Sequence, residues 1–233
     1  MKKKIFILAG EPSGDIHGAR LMKELRSRGP GVEIVGIGGP MMEAEGLRSL
    51  VPISDMAVSG IWEVLKHYGF FRKTMDLCVS ELRKGAIDLF LPIDYPGFNV
   101  RLAGEAKKLG IPVAYYIAPQ LWAWGKNRAD KISRVVDKLL VVFPFEVEFF
   151  HSHGINAEYV GHPLMDSPEF SEIPTEREPV IALFPGSRRQ ELARHLPIVE
   201  RVAELLSAEL PDHRIALAMA KSLPEHFYDE LKA

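Results

Sequence analysis

The chain has 233 residues, of which 47% are hydrophobic and 26% are charged, and its mean hydropathy is close to zero. Such a composition is typical of a soluble globular protein, and the length suits one large domain or two small ones. The formal net charge of −2 provides no basic field, so nucleic acid is not expected as a partner. The single cysteine, Cys78, excludes an internal disulfide and a cysteine-based metal site, and its helical surroundings predict a small core residue.

No targeting or membrane-spanning segment is predicted. The apolar stretch that follows the N-terminal lysines is too short for a signal sequence. No apolar run approaches the ~20 residues that a membrane span requires. These features predict a cytoplasmic protein, and they leave contact with a membrane surface open.

Strand and helix patterns alternate along the first 160 residues. Strands are predicted at residues 5–9, 32–37, 51–54, 87–93, 112–117, 139–143 and 157–160. Helices are predicted after the first strand to about residue 27, in a short segment with Met41 and Met42, and at residues 58–73, 74–84, 100–109 and 146–152, with a break near Gly69. This alternation predicts an α/β fold of Rossmann type, a parallel sheet with helices on both faces.

The loop after the first strand is rich in glycine. Its glycines are Gly10, Gly14 and Gly18, and they do not form the dinucleotide fingerprint, so a Rossmann oxidoreductase is disfavoured. Ser13 or Asp15 can cap the helix that follows. Alternatively, such a turn at a helix N-terminus receives an anionic or polyhydroxy ligand, and His17 in the first turn would face the same crevice.

Aromatic and cationic side chains crowd residues 61–73. One interpretation is an amphipathic helix that faces the core. The other is a membrane patch, in which aromatic side chains lie at lipid headgroups and cations meet anionic lipid. Its candidate residues are Trp62, Leu65, Phe70, Phe71, Arg72 and Lys73.

Residues 87–93 are almost wholly apolar, which predicts a strand buried on both faces. Pro92 is expected to end the regular pairing of this strand. Asp94 then lies just past its carboxyl end in a proline-glycine turn, and Asn99 can cap the next helix. Ligands of open α/β sheets bind at this edge. Asp94 is therefore either a turn-former or a catalytic group, and its position alone does not decide.

A second unit begins after a proline-rich stretch, residues 163–179, which has the composition of a linker. Strands are then predicted at 180–184 and 214–219, and helices at 190–209 and 224–232. This half, of ~55 residues, is too short to close a doubly wound sheet, whose domains usually need ~100 residues or more. The predicted organisation is an N-terminal domain at 1–162, the linker, and an incomplete C-terminal domain at 180–233, so the chain is expected to be a fragment.

A glycine turn opens the second unit as one opens the first. The helix start after Gly186 and Ser187 suits an anion, and the guanidinium of Arg188 suits phosphate. Ser187 with Gln190 also fits a capping box that needs no ligand, and both interpretations can hold together. Two such halves would leave a cleft with Asp94 on one wall and Arg188 on the other, which suits transfer of a group from a nucleotide-activated donor.

The sequence shows no metal-ligand pattern. The chain has no Cys/His cluster with ligand spacing and no Asp-x-Asp pair after a strand. His151 and His153 stand two residues apart, a spacing that does not place them on one helix face. No metal and no cofactor are therefore expected.

Five motifs together resemble those of the lipid-A-disaccharide synthases, bacterial inverting glycosyltransferases of the GT-B type. They are Gly10-Glu11-Pro12-Ser13-Gly14-Asp15, Ile93-Asp94-Tyr95-Pro96-Gly97-Phe98-Asn99, Pro119-Gln120-Leu121-Trp122-Ala123-Trp124, Gly161-His162-Pro163 and Pro185-Gly186-Ser187-Arg188. The resemblance implies that UDP-2,3-diacylglucosamine is joined to 2,3-diacylglucosamine 1-phosphate in lipid A biosynthesis, which yields a β-1,6-linked disaccharide 1-phosphate and UDP. It also implies a peripheral protein on the cytoplasmic side of the inner membrane of a Gram-negative bacterium.

The resemblance implies catalytic roles for Asp94 and Arg188. Its substrate-binding candidates are Gly10, Ser13, Gly14, Asp15, His17, Asn99, Trp122, Gly186 and Ser187. Asp15 and His17 compete with Asp94 as the general base, and His17 has the better intrinsic pKa, but the resemblance favours Asp94. The uridine-binding residues of the family lie in a later segment, so the present chain alone is expected to be inactive.

Three alternatives to this reaction remain at this point. Two are other GT-B enzymes, a UDP-N-acetylglucosamine epimerase and a peptidoglycan glycosyltransferase. The third is a non-catalytic module that binds a sugar or a phosphate. The oligomeric state is open, and a homo-oligomer is compatible with the sequence.

Overall fold

A computed structural model describes residues 3–29, 31–56, 68–84, 86–124, 129–166, 176, 178–186, 189–219 and 228. The chain forms two compact units, Met1–Phe170 and Ser171–Ala233. The division between them falls inside the stretch predicted to be a linker.

The first unit is built on six parallel strands. They are β1 (Lys4–Ala9), β2 (Glu33–Ile37), β3 (Leu89–Ile93), β4 (Ala114–Tyr116), β5 (Lys138–Val141) and β6 (Ala157–Tyr159), in the spatial order β2-β1-β3-β4-β5-β6. The helices are α1 (Pro12–Arg28), α2 (Pro40–Ala44), α3 (Ile53–Met56), α4 (Tyr68–Arg83), α5 (Pro96–Lys108), α6 (Leu121–Trp124), α7 (Ala129–Ser133) and α8 (Pro144–His151), and a 3-10 turn at Pro163–Asp166 follows β6. The predicted parallel sheet is confirmed.

The two faces of this sheet carry separate cores. Ile5 and Ile7 of β1 belong to a cluster with Met22 of α1. Phe6 and Leu8, whose side chains point the other way, belong to a cluster with helices α4 and α5. The chain leaves β1 towards β2 and later leaves β3 towards β4, so right-handed crossovers place α1 and α5 on opposite faces. The fold is doubly wound, and its strand order reverses between β1 and β3.

One predicted element before β3 is wrong. Residues 51–54 do not form a strand, because the chain there enters the short helix α3, and the neighbouring pairing is an isolated bridge between Gly36 and Ser49. Helix α4 runs from Tyr68 without interruption through Gly69 and Thr74, so the described residues do not test the break predicted near Gly69, where the preceding residues are not described. The first part of the predicted helix, up to residue 67, lies outside the described residues.

Pro92 does not end β3, contrary to the prediction. The strand continues to Ile93 and pairs with β1 throughout. The N–H groups that face β4 come from alternate residues, with Phe90 donating to Pro112 at 2.9 Å and Asp94 to Tyr116 at 3.0 Å. Pro92 stands between these two donors and has no N–H, so the strand loses one ladder hydrogen bond and keeps its course.

The rest of the first unit follows the prediction more closely. Cys78 is buried, and burial raises the pKa of its thiol to about 12, as expected for a core residue. None of the helices in the described part of the chain combines the length and apolar character of a membrane-spanning segment.

The second unit contains two parallel strands and a long helix. They are β7 (Val180–Leu183), α9 (Arg189–Glu209) and β8 (Arg214–Leu217). Leu192 and Leu196 of α9 form its buried cluster with Tyr228. The strands and the helix agree with the prediction, whereas the helix predicted at 224–232 lies outside the described residues apart from Tyr228.

Candidate functional site

The candidate site lies where the strand order reverses. Ala9 and Ile93, the last residues of β1 and β3, are paired neighbours. The chain then turns in opposite directions after Gly10 and after Asp94, which opens a crevice at the carboxyl edge of the sheet. A side-chain carbon at Gly10 would collide with the ring of Tyr95, so glycine lets the two loops approach each other.

The turn after β3 has an unusual backbone. Asp94 and Tyr95 both have positive φ angles, 45° and 53°, a region that residues other than glycine adopt at a cost. Tyr95 occupies the N-cap position of α5, which begins at Pro96. The helix therefore starts earlier than predicted, and the predicted N-cap role of Asn99 is wrong because Asn99 lies inside the helix.

Buried hydrogen bonds hold this turn. The carbonyl oxygen of Asp94 accepts a bond from Tyr115 Oη at 2.6 Å and another from Asn99 Nδ2 at 2.7 Å. Tyr115 and Asn99 are both completely buried. Asn99 supports the turn through its Nδ2 bond, and its Oδ1 atom is enclosed without a hydrogen-bond partner among the described residues. Its role in substrate binding stays a prediction.

The Asp94 side chain itself is half-buried at the mouth of the crevice. Burial raises the pKa of its carboxyl group, and the nearby carboxyl of Glu11 raises it further. The hydrogen bond from the backbone N–H of Tyr95 lowers this pKa, but by less than burial raises it. A carboxylate whose pKa is shifted towards neutrality and whose backbone is fixed is suited to accept a proton.

Asp15 has a different environment on the neighbouring loop. Its carboxylate is buried and accepts bonds from the backbone N–H groups of Gly39 at 2.8 Å, Met41 at 3.0 Å and Met42 at 3.0 Å. Asp15 thereby caps α2, a helix other than its own. Both of its oxygens are engaged, so the structure gives it a structural role.

The predicted capping of α1 by Ser13 or Asp15 is wrong. The helix begins at Pro12, and Glu11 occupies its N-cap position without a side-chain capping bond. Ser13 is exposed in the first turn, where its hydroxyl remains accessible. Gly14 lies next to β3, with a side-chain carbon built there 3.8 Å from the carbonyl oxygen of Ile93.

His17 faces the crevice from α1. It is half-buried, and its Nδ1 atom is enclosed without a hydrogen-bond partner. Burial, Arg20 and His162 all lower the pKa of its imidazole, so the ring is neutral near pH 7. Arg20 Nη1 donates to the carbonyl oxygen of Pro163 at 3.0 Å, which brings the segment after β6 against α1.

Sequence reasoning did not assign Arg20 and His162 to the site. A signal for each was present, because Arg20 follows His17 by three positions on one helix and His162 belongs to the Gly-His-Pro motif. What the sequence did not provide was the contact between segments more than 140 positions apart.

Trp122 belongs to an aromatic row along the same edge of the sheet. Its indole is 37% exposed, donates to Glu146 Oε1 at 3.2 Å, and meets Phe145 edge-on at 5.1 Å. Phe145 stacks on Phe143 at 5.6 Å, and Phe143 lies 5.4 Å from the ring of His162. The row ends beside His162, and its two phenylalanines were not predicted.

The glycine turn of the second unit is only partly described. Gly186 has a φ of 124°, which glycine tolerates best, and His195 Nδ1 lies 2.8 Å from the carbonyl oxygen of Pro185. Ser187, Arg188 and the side chain of Gln190 lie outside the described residues. Their phosphate-binding and capping roles stay predictions.

The candidate membrane patch divides into two kinds of residue. Phe70 and Phe71 are half-buried, meet at 5.7 Å and pack on the core, as the core-facing interpretation expects. Arg72 and Lys73 are exposed, and Arg72 lines a groove of about 1110 Å³ between α4 and α5. Trp62 and Leu65 lie outside the described residues.

Within the described residues, no three His, Cys, Asp or Glu side chains gather closely enough to hold a metal ion. The groups at this edge of the sheet are the carboxyl groups of Asp94 and Glu11, two imidazoles, a guanidinium and aromatic rings. They are suited to proton transfer and to binding a polar ligand with an anionic group.

Solved structures with similar folds confirm the GT-B-like architecture. The S. aureus MnaA-UDP co-structure has a TM-score of 0.65 at 11% identity, and the match covers 98% of this chain and 64% of that one. The UDP-GlcNAc 2-epimerase from Neisseria meningitidis bound to UDP-GlcNAc has a TM-score of 0.58 at 12% identity, with 99% and 69% covered. At these identities the likeness shows the fold alone.

Sequence comparison identifies the family. The lipid-A-disaccharide synthetase family model matches residues 5–233. The lipid-A-disaccharide synthase of Geobacter metallireducens is 43% identical over 234 residues, covering 96% of this chain and 60% of that protein. The one from Coxiella burnetii is 36% identical over 230 residues, covering 95% and 61%. The chain thus spans about 60% of the length of these relatives, and it belongs to the lipid-A-disaccharide synthetase family.

Proposed function

We propose that this chain carries the acceptor-side part of a glycosyltransferase that joins UDP-2,3-diacylglucosamine to 2,3-diacylglucosamine 1-phosphate. The products are the lipid A disaccharide 1-phosphate and UDP. The family match supports this reaction. The structural observation that supports the proposed chemistry is the Asp94 turn, where a half-buried carboxyl with a raised pKa is fixed at the switch point of the sheet.

Asp94 serves as the general base in this proposal. The 6-hydroxyl oxygen of the acceptor attacks the anomeric carbon of the donor while its proton passes to the Asp94 carboxylate. The bond between the anomeric carbon and the UDP oxygen breaks, UDP leaves with the electron pair, and the configuration inverts. The fixed turn keeps the carboxylate in place for this step. His17, neutral at the same crevice, is the competing base.

The donor is a UDP-sugar in this proposal. Two structures of similar fold contain UDP and UDP-GlcNAc, which supports a nucleotide sugar. The turn at Gly186, Ser187 and Arg188 would meet the diphosphate, since helix N-termini and guanidinium groups suit phosphate. No metal is needed if these groups neutralise the leaving group, so a chelator is expected to leave the rate nearly unchanged, and restoration only by added Mg²⁺ would contradict this.

Acylated substrates require access from a lipid surface, and we assign the patch on α4 to the cytoplasmic side of the inner membrane. The exposed Arg72 and Lys73 attract anionic headgroups with about 1 kcal/mol each. Because Phe70 and Phe71 also support the core, the informative variant is Arg72→Gln with Lys73→Gln. It is expected to sediment less with anionic vesicles at an unchanged melting temperature. If the variant and the wild-type protein sediment equally with these vesicles, the patch is not a membrane-binding surface.

The reaction is tested in a protein that carries this chain at the full length of its relatives. Both lipid substrates are supplied, and products are scored by mass. The proposal expects disaccharide 1-phosphate and UDP in equal amounts, and neither product when either lipid is omitted. Epimerisation of UDP-N-acetylglucosamine without disaccharide would identify the epimerase alternative, and binding without any product would identify a non-catalytic module.

A further inference from the structure

Three basic side chains from two distant segments converge beside the crevice. His17 and Arg20 lie one turn apart on α1, and His162 follows β6. The bond from Arg20 to the carbonyl oxygen of Pro163 fixes the second segment against the first. Arg20 and His162 both act electrostatically on the His17 ring. The fold brings these basic side chains together without the helix N-terminus that usually gathers anion-binding groups.

The hydrogen-bonding capacity of this cluster is only partly used. His17 Nδ1 is enclosed and has no hydrogen-bond partner among the residues that the structure describes, a state that buried polar atoms rarely keep. His162 Nδ1 accepts the backbone N–H of Leu164 at 3.2 Å, which leaves Nε2 as the proton-bearing nitrogen of the neutral ring. Arg20 uses one N–H of its guanidinium on Pro163 and keeps the others.

The charge of Arg20 is also uncompensated within the described part of the chain. The ion pairs there run along helix surfaces and strand ends and do not include Arg20. Asp166 is a carboxylate in the same surroundings, since it raises the pKa of the Tyr116 hydroxyl while Arg20 lowers it. A half-buried guanidinium without a salt bridge, next to two imidazoles, is a site for an anion.

We propose that His17, Arg20 and His162 bind the phosphate group of a sugar phosphate. A phosphate offers several acceptor oxygens, which match the N–H groups of the guanidinium and of His162, and its charge favours protonation of His17 Nδ1. Phe143 next to His162 supplies an apolar surface for the attached sugar. The choice of a sugar phosphate rests on the proposed function, and the phosphate site itself does not.

Two sources share this chemistry, the phosphomonoester of the acceptor and the diphosphate of the donor. The probes are inorganic phosphate, glucosamine 1-phosphate and UDP, titrated into the present chain with histidine ring resonances followed by NMR. Binding is expected to raise the pKa of His17, because a dianion beside the ring reverses the effect of Arg20 and His162. Stronger binding of glucosamine 1-phosphate assigns the site to the acceptor, and stronger binding of UDP assigns it to the donor.

The variants are Arg20→Gln and His162→Asn, with Arg134→Gln as a charge-matched control on an exposed surface. Loss of the Arg20 guanidinium is expected to weaken the better probe about tenfold or more. His162→Asn is expected to weaken it less, and Arg134→Gln by less than about twofold. Arg20→Lys, which keeps the charge, is expected to recover part of the affinity and separates binding from the support of Pro163.

The proposal is overturned if no probe shifts the His17 resonance, or if Arg20→Gln and Arg134→Gln weaken binding equally. Its failure is distinguishable from failure of the proposed reaction. Disaccharide formation that Arg20→Gln does not alter would remove the phosphate site and keep the glycosyltransferase. Phosphate binding without disaccharide formation in the full-length protein would keep the phosphate site and contradict the proposed reaction.

Discussion

Two aspartates at the same edge of the sheet show how one residue type takes two roles. Asp15 follows β1 and is buried, and each of its oxygens accepts bonds from the backbone of α2. Asp94 follows β3 and is half-buried, and burial raises the pKa of its carboxyl. Both oxygens of Asp15 already accept backbone bonds, whereas the Asp94 carboxylate is only half-buried.

The difference lies in what fixes each loop. On the first loop the aspartate side chain itself holds the structure together. On the second loop the buried bonds from Tyr115 and Asn99 hold the carbonyl oxygen of Asp94, and the Asp94 carboxyl interacts only with the backbone N–H of Tyr95. A carboxylate that is available for proton transfer is therefore distinguished from a structural one by its hydrogen-bond partners, and not by its position at the edge of the sheet.

Asp94→Asn is expected to have the largest effect. Loss of a general base typically lowers kcat about 10²–10⁴-fold, measured in the full-length protein with substrate affinity nearly unchanged. The melting temperature should stay the same or rise. A carboxyl with a raised pKa stabilises the fold below its unfolded pKa and loses that contribution as pH rises through the folded value, so at neutral pH its removal costs nothing. Asparagine also tolerates the positive φ of this position.

A fall in melting temperature with only a modest loss of rate would contradict this expectation. It would indicate that Asp94 is a turn-former, as its position alone allows. The matched comparison is Asp15→Asn, which changes the same atoms one strand away.

Asp15→Asn is expected to act on stability. The amide offers one acceptor oxygen where the carboxylate offers two, so at least one N–H at the start of α2 loses its partner. Hydrogen bonds to charged groups contribute about 1.5–3 kcal/mol, and the free energy of unfolding should fall by about that amount. Denaturant titration measures it. A stable variant with a large loss of kcat would show that Asp15 contributes to the chemistry.

Tyr115→Phe should have the smallest effect and sharpens the comparison. It removes one of two buried bonds to the Asp94 carbonyl, which lowers the free energy of unfolding by about 0.5–1.5 kcal/mol. Because the turn positions the carboxylate, kcat should fall several-fold while KM stays constant. Tyr159→Phe, which removes a hydroxyl from an exposed ring, is the control. Equal kcat and KM values for Tyr115→Phe and Tyr159→Phe would show that the bond from Tyr115 to the turn does not contribute to catalysis.

The sequence predicted the architecture well because apolar runs and helical periodicity are local signals. Strands β1 to β8 all form where the sequence predicted strands, and the additional strand predicted at 51–54 does not form. The errors arose where local rules met tertiary contacts. Pro92 remains in a central strand because its missing N–H removes only one hydrogen bond between β3 and β4. Asn99 is buried inside helix α5, where its Nδ2 donates to three backbone carbonyl oxygens.

The site was predicted in part for the same reason. Asp94 and Gly10 lie on adjacent loops at the switch point because the strand order places the ends of β1 and β3 side by side. The role of Asp15 could not be read from the sequence, since its partners lie 24 to 27 residues away on another helix. Arg20 and Pro163 are separated by 143 residues, and no local pattern encodes that contact.

The most direct test of the account is the pH dependence of kcat/KM in the full-length protein, compared among wild type, Asp94→Asn and His17→Asn. A base must be deprotonated, so activity should fall as pH falls through the pKa of Asp94, which lies above the ordinary carboxyl value. The account predicts that this acid limb persists in His17→Asn and disappears from the residual activity of Asp94→Asn. An acid limb lost in His17→Asn, with Asp94→Asn nearly as active as wild type, would contradict it and place the base on the first loop.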